Sequence, residues 1–254
     1  MYCAVAVPAW LLAVELREPN ELTGYALFAV ICFLGLYHTR KRFSGSKLMS
    51  AEHWASAHVV GGLLSLALFW LHIGTLWPTG FYEILLGLAF YAVTAVGIVG
   101  YALQKFLPRR LSLSGSEIIF ERIPTELHRL RTQAEAIVLD CAQTNGSDTL
   151  ARHYSETMAW YFNRPRFRIG HLVGSQLATF WIDQNYETVK RYLNESERAS
   201  LDALRAVALR KAGIDLQYAL QLVLRAWPLV HVPIAVALFT LMVWHLVLVN
   251  VYTL

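Results

Sequence analysis

Residues 58–72 read HVVGGLLSLALFWLH, and residues 231–245 read HVPIAVALFTLMVWH. Each stretch is an apolar run closed at both ends by histidine, with no Asp, Glu, Lys or Arg between. On an α-helix fourteen residues come close to four turns. The second imidazole therefore returns to within roughly 40° of the first, about 21 Å further along the axis. Ionisable side chains inside apolar segments of this kind are expensive and usually functional. Two such helices running side by side would set two facing imidazole pairs at two depths.

Extended outward, the two stretches become Trp54–Trp77 and Trp227–Tyr252, each near the roughly 20 residues needed to cross a hydrocarbon core of about 30 Å. Tyr82–Leu103 is a third run of this kind, and Leu22–His38 a fourth, shorter but uninterrupted by charge. The chain as a whole is 56% hydrophobic and only 16% charged, against about a quarter charged for a soluble domain. The expected fold is all-α: a transmembrane four-helix bundle with a helical cytoplasmic insert between the third and fourth spans. In chain order the expectation is an interfacial N-terminal segment over 1–21, spans one to three over 22–107, the insert over 108–225 and the fourth span over 226–254. Met1–Val14 is apolar, but it meets Glu15, Arg17 and Glu18 early, contains Pro8 and lacks the basic start of a secretory signal. It reads as an interfacial or partner-packing segment rather than a fifth span.

Basic residues set the expected orientation. Arg40, Lys41, Arg42 and Lys47 follow the first span, and Lys105, Arg109 and Arg110 follow the third. The connection Pro78-Thr79-Gly80-Phe81 carries none. The positive-inside rule then places the insert in the cytoplasm and both termini in the periplasm, in a bacterial inner membrane. The second and fourth spans become parallel, so His58 matches His231 in depth and His72 matches His245.

The insert reads as helical and charged. Leu127, Leu130, Ala134, Ile137, Val138 and Cys141 mark one face of a helix over 125–143, broken by Asn145-Gly146-Ser147-Asp148. Arg164-Pro165-Arg166-Phe167-Arg168 reads as a loop, and 196–212 and 214–225 as two further helices. No glycine-rich nucleotide motif occurs. The insert reads as a module with solvated charged faces, a docking surface being the other reading. Cys3, Cys32 and Cys141 are isolated, with no C-x-x-C or C-x-x-C-H, which predicts three free thiols and neither covalent haem nor a cysteine zinc site. The net charge of +4 gathers at membrane edges and is no signal for nucleic acid.

Neutral imidazole is a good iron ligand, and helix bundles build such sites from facing side chains. Two stacked b-type haems, ligated by His58 with His231 and His72 with His245, are the expected cofactors. With both axial positions filled, the chemistry is outer-sphere electron transfer. Gly61, Gly62 and Gly74, with Gly87, Gly97 and Gly100 on the third span and Gly24 and Gly35 on the first, leave room for a macrocycle; they equally permit close helix packing. Pro233 marks the start of the fourth span or steers His231. Arg40, Lys41, Arg42 and Arg225 are topology determinants first, with haem propionates as a further use of Arg40 and Arg42 in particular. His38 and His53 read as solvated interface residues, and His128, His153 and His171 show no ligand spacing.

This pattern resembles the di-haem core of the cytochrome b and b6 family, in which the second and fourth helices of a four-helix bundle each carry two histidines at about this spacing. The matching positions are His58, His72, His231 and His245. The resemblance covers the four spans and departs from the family in three ways: a far longer connection between spans three and four, the opposite orientation, and no Pro-Glu-Trp-Tyr signature of quinol oxidation. It implies an electron-transfer subunit of an oxidoreductase complex, working between quinone and a separate redox partner. The chain stops at Leu254, directly after the fourth span, which points to a partner on another subunit, a periplasmic cytochrome or dehydrogenase. Two other readings stay open: a stand-alone transmembrane reductase, and a non-redox scaffold or transporter subunit.

Overall fold

The computed structural model describes residues 19–37, 50–113 and 118–252. The expectations for Met1–Val14, Cys3, His38, Arg40, Lys41, Arg42 and Lys47 fall outside the described residues. Within them the fold is all-helical, without strands. The order is α1 (Pro19–Gly35), α2 (Ala51–Ile73), α3 (Phe81–Leu113), a 3-10 turn (Phe120–Arg122), α4 (Ile123–Asn145), α5 (Thr149–His153), a π turn (Tyr154–Met158), α6 (Ala159–Phe162), α7 (Arg168–Val173), α8 (Leu177–Lys190) and α9 (Glu195–Tyr252). The chain divides into two compact units, one from 1–103 with 227–254, the other from 104–226.

The first unit is built from apolar helices. Leu27 and Val30 of α1, Leu68 and Phe69 of α2, Phe90 of α3 and Leu238 of α9 form one buried core. Phe69 and Phe90 stack at its centre, 4.3 Å between centroids. Around that core the helices turn large apolar side chains outward: Val60, Leu63, Ile98 and Val236 are all more than half exposed. Such a surface suits lipid, and three helices, α2, α3 and α9, are long and apolar enough to cross a membrane. The first expected span is shorter than the others: α1 has 17 residues, about 26 Å of helix.

α2 starts at Ser50, whose hydroxyl accepts the His53 N–H, and ends at Gly74, with φ +65° and its N–H on the Trp70 carbonyl. Gly74 is thus the left-handed residue that stops the helix. Beyond it, Trp70 Nε1–H donates to the Tyr91 hydroxyl, which donates to the Leu76 carbonyl, fixing the turn into α3.

In the second unit the expected 125–143 helix is α4, and its buried face is the one read from the sequence: Leu127, Leu130, Ala134, Val138 and Cys141, with Ile137 partly buried. Gly146, φ +66°, ends it where the break was expected. The two separate helices expected over 196–212 and 214–225 are a correction: both belong to α9, which runs through Gly213, Pro228 and Pro233. A mid-helix glycine costs only about 1 kcal/mol, and Ala208, Ala212, Ile214, Ala219 and Leu220 are all buried around it. The prolines fall in the apolar part, where helix breakers are tolerated. α9 begins in a reciprocal cap: the Asn194 side chain accepts the Glu197 N–H, and Glu197 Oε2 accepts the Asn194 N–H, both at 2.9 Å.

Candidate functional site

All four span histidines are half-buried in the first unit. His72 lies in the last turn of α2. Its Nδ1 is 3.0 Å from the Asn20 backbone carbonyl and 3.3 Å from Thr23 Oγ1, both on α1. Thr23 donates its own hydroxyl to that carbonyl at 3.0 Å. A carbonyl oxygen only accepts, so the proton of neutral His72 sits on Nδ1 and the lone pair on Nε2. The ring lies so close to α1 that a Cβ at Gly24 would meet His72 Cε1 at 2.9 Å. His245 stands within electrostatic range of it.

His245 itself is backed by the Tyr82 ring of α3, nearly parallel at 14° with centroids 6.1 Å apart. The Tyr82 hydroxyl donates to the Leu241 carbonyl, one turn before His245 on α9. At the other end of this stretch, His231 stacks on Trp227, 4.9 Å between centroids and 20° between planes. The Trp227 indole N–H donates to the Val96 carbonyl at 2.9 Å. Gly100 has no room for a side chain, because its Cβ would run into that indole; a Cβ at Gly97 would reach His231 Cε1 at 3.6 Å. His58 pairs with Tyr37, just past α1, at 4.8 Å.

Each histidine helix is therefore braced by a different neighbour. Thr23, Gly24 and Tyr37 support the pair on α2; Tyr82, Gly97 and Gly100 of α3 support the pair on α9. Sequence reading noted Tyr82 and Trp227 only as span ends. The i, i+4 spacing of Trp227 and His231 was a usable signal; the Asn20–His72 contact, 52 residues apart, left none.

The other expected site residues are placed as follows. Gly61 is used for packing, since a Cβ there would meet Leu34 Cδ2 at 2.8 Å, whereas Gly62 has open space beside it. Arg40 and Arg42 lie outside the described residues. Arg225 belongs to the second unit, paired with Glu121 at 2.6 Å and lying 4.5 Å over the Phe120 ring. His53 bonds to Ser50 at the N-terminus of α2.

Among the described residues no three His, Cys, Asp or Glu side chains converge as a metal cage would require. A bis-imidazole centre asks for two protein ligands, and the donor set fits that demand at His72, where one ring nitrogen is tied to a backbone carbonyl and the other keeps its lone pair. No protein-family model matches the chain, and no curated protein or solved structure matches it either.

Proposed function

We propose that this chain is a membrane electron-transfer subunit: a transmembrane four-helix bundle holding two b-type haems, one between His58 and His231, the other between His72 and His245, and passing electrons between quinone and a separate redox protein. The observation that carries the reading is the His72 tautomer, fixed by Asn20 with Nε2 left for iron, within an arrangement whose two histidine helices repeat the same spacing. A hydrogen bond from the far ring nitrogen to a carbonyl is what orients a ligating imidazole and raises its basicity.

Bound between two imidazoles, haem supplies one-electron redox chemistry with no open position for substrate. The residues around it hold and tune. Asn20 and Thr23 fix the direction of His72. Tyr82 and Trp227 limit the swing of His245 and His231. Leu68, Phe69, Phe90 and Leu238 keep the space between the helices dry, which bears on potential. In this reading α1 is the first span, the second unit is cytoplasmic, and the termini face the periplasm of a bacterial inner membrane. The partner is a periplasmic cytochrome or dehydrogenase; a stand-alone reductase would keep the haems and change the partner.

One observation favours a second reading. The His72–Asn20 bond is also what a purely structural histidine does between membrane helices, so a colourless scaffold or transporter subunit would use it too. A reduced-minus-oxidised spectrum of the purified protein, with haem counted as the pyridine haemochrome, separates the two. Two b haems per chain support the electron-transfer reading. A folded protein from haem-replete cells carrying none overturns it.

A further inference from the structure

Among the described residues of the second unit, an apolar surface stands exposed around α7 and the start of α8. Ile169 is 78% exposed, Val173 75%, Leu177 51% and Phe180 66%. Ile169 and Val173 are one turn apart on α7 and share a side of it. Leu177 opens α8 against the same helix, its Cβ 3.7 Å from where a Gly170 Cβ would lie. Phe180 follows one turn later. Arg164 and Arg166 come immediately before α7, and Arg168 is its first residue. Arg166 lies 3.9 Å over the exposed Trp160 ring, and Arg164 and Arg168 are exposed. Burial first, then Arg164 and to a lesser extent Arg168, push Arg166 below the usual arginine value against the opposing pull of Asp215; the three guanidiniums form one patch of positive charge.

This patch is built rather than loose. Lys211 and Asp215 form an ion pair at 2.5 Å with both side chains fully buried. Lys211 Nζ donates to the Arg164 carbonyl at 3.1 Å, and Asp215 Oδ2 accepts the Arg166 N–H at 3.2 Å. The pair clamps the arginine loop from beneath, in a conformation that puts Phe167 at φ +52°, unusual for a bulky residue. The far end of α7 is held by Arg110, whose guanidinium donates to the Leu172 and His171 carbonyls at 2.5 and 2.7 Å. Arg110 stands on α3, seven residues past Leu103 where the apolar run ends.

We propose that α7, its arginine loop and the first turn of α8 dock on the anionic phospholipid surface of the membrane that the spans cross, with Ile169, Val173, Leu177 and Phe180 in the interfacial region and Arg164 and Arg168 on lipid phosphates. An apolar face beside clustered arginine and tryptophan is the composition of interfacial segments, and guanidinium matches phosphate in bidentate geometry. The inference needs the membrane spans and not the haems.

The test uses the full chain in nanodiscs of phosphatidylcholine, with and without phosphatidylglycerol, carrying photoreactive p-benzoylphenylalanine at Ile169 and, separately, at the equally exposed Tyr192, two residues past the end of α8. The expected result is a lipid adduct at 169, none at 192, and a yield higher with phosphatidylglycerol. Arg164→Gln with Arg168→Gln should lower it at least roughly fivefold in those discs. Equal lipid adducts at both positions, or none at 169, overturn the proposal. So does the same probe in native membranes if it captures a protein at 169 in place of lipid. Intact haem spectra or, failing haem, unchanged thermal melting of the variants keeps misfolding apart from lost docking.

Discussion

The buried Lys211–Asp215 pair offers the sharpest quantitative test of how the second unit is held. Lys211→Met would leave the Asp215 carboxylate in a site with no exposure, its Oδ2 still accepting from Arg166 N–H and its Oδ1 without a partner. Asp215→Leu would leave the Lys211 ammonium with the Arg164 carbonyl and the Tyr161 ring, 4.0 Å away. Removing one partner of a buried pair typically costs about 3–5 kcal/mol, because the other charge stays desolvated. Replacing both removes that cost. What is left is the pair of loop groups, Arg164 C=O and Arg166 N–H, each worth at most about 1–3 kcal/mol and near enough to the surface to find water. The double variant Lys211→Met/Asp215→Leu should therefore be more stable than either single variant. At roughly 3–5 °C per kcal/mol for a unit of this size, each single change lowers Tm by about 10–20 °C and the double by far less. Melting of the full chain in detergent, followed through Trp160 and Trp181 fluorescence and limited proteolysis, reads this directly. Additive losses in the double variant, or single losses below about 1 kcal/mol, would refute the argument that the pair acts as one clamp.

Three further outcomes follow from the same geometry. If the ligand pairs are His58–His231 and His72–His245, His58→Ala with His231→Ala retains one haem per chain by pyridine haemochrome, as either single change does, whereas His58→Ala with His72→Ala retains none. Gly24→Ala presses on His72 Cε1 from 2.9 Å and should shift the potential or low-spin EPR signal of one haem only; Gly62→Ala, four residues past His58 with open space beside it, lowers haem content if a macrocycle uses that space and otherwise leaves it unchanged. Burial pushes the Asp215 carboxyl up to about 6, against the opposing pull of Lys211 and the Arg166 groups. The folded state then keeps a proton that the unfolded state releases between about pH 4 and 6, so this group's contribution to stability grows as pH falls through that window and its burial cost stands in full above it. His171, pushed down by burial and then by Lys211 and Arg110, works the other way, losing stability as pH falls below its ordinary value. The Asp215 share is therefore read as wild type minus Asp215→Asn: the difference should favour wild type by about 2–3 kcal/mol more at pH 4.5 than at pH 7.5, and a flat difference would contradict it.

What the sequence made legible was what local pattern decides. Apolar length alone marks α2, α3 and the apolar end of α9, and a 3.6-residue period marks the face of α4. The short helices α5 to α7 escaped because no local signal makes them. Helices of four to six residues hold only where distant groups fasten them: Tyr161 under Ala208, the Arg166 N–H on Asp215, the α7 carbonyls on Arg110. The expected stop at Gly213 failed for the converse reason, since buried neighbours on both sides outweigh a penalty of about 1 kcal/mol.

The same division runs through the candidate site. Spacing within one helix is a local quantity, so the four histidines could be picked out before any fold was known. Which nitrogen of His72 carries the proton is not local. It depends on Asn20 arriving from another helix, and on Thr23 and the missing side chain of Gly24 letting the ring lie against α1. That dependence gives the short helix α1 a purpose that its length does not suggest. At about 26 Å it is the weakest of the apolar helices as a span, yet its first two turns hold the groups that set the His72 tautomer. The acceptor is the backbone carbonyl of Asn20, which any residue type would present; what the sequence contributes is Thr23, whose hydroxyl meets both that carbonyl and His72 Nδ1, and the missing side chain of Gly24. A carbonyl in the first turn of a helix accepts from an N–H further along it, and its second lone pair can take an imidazole N–H where the ring comes to the helix end. His72 does so, at the end of α2 opposite the start of α1, so the antiparallel packing of these two helices sets the tautomer whether or not the ring ligates iron.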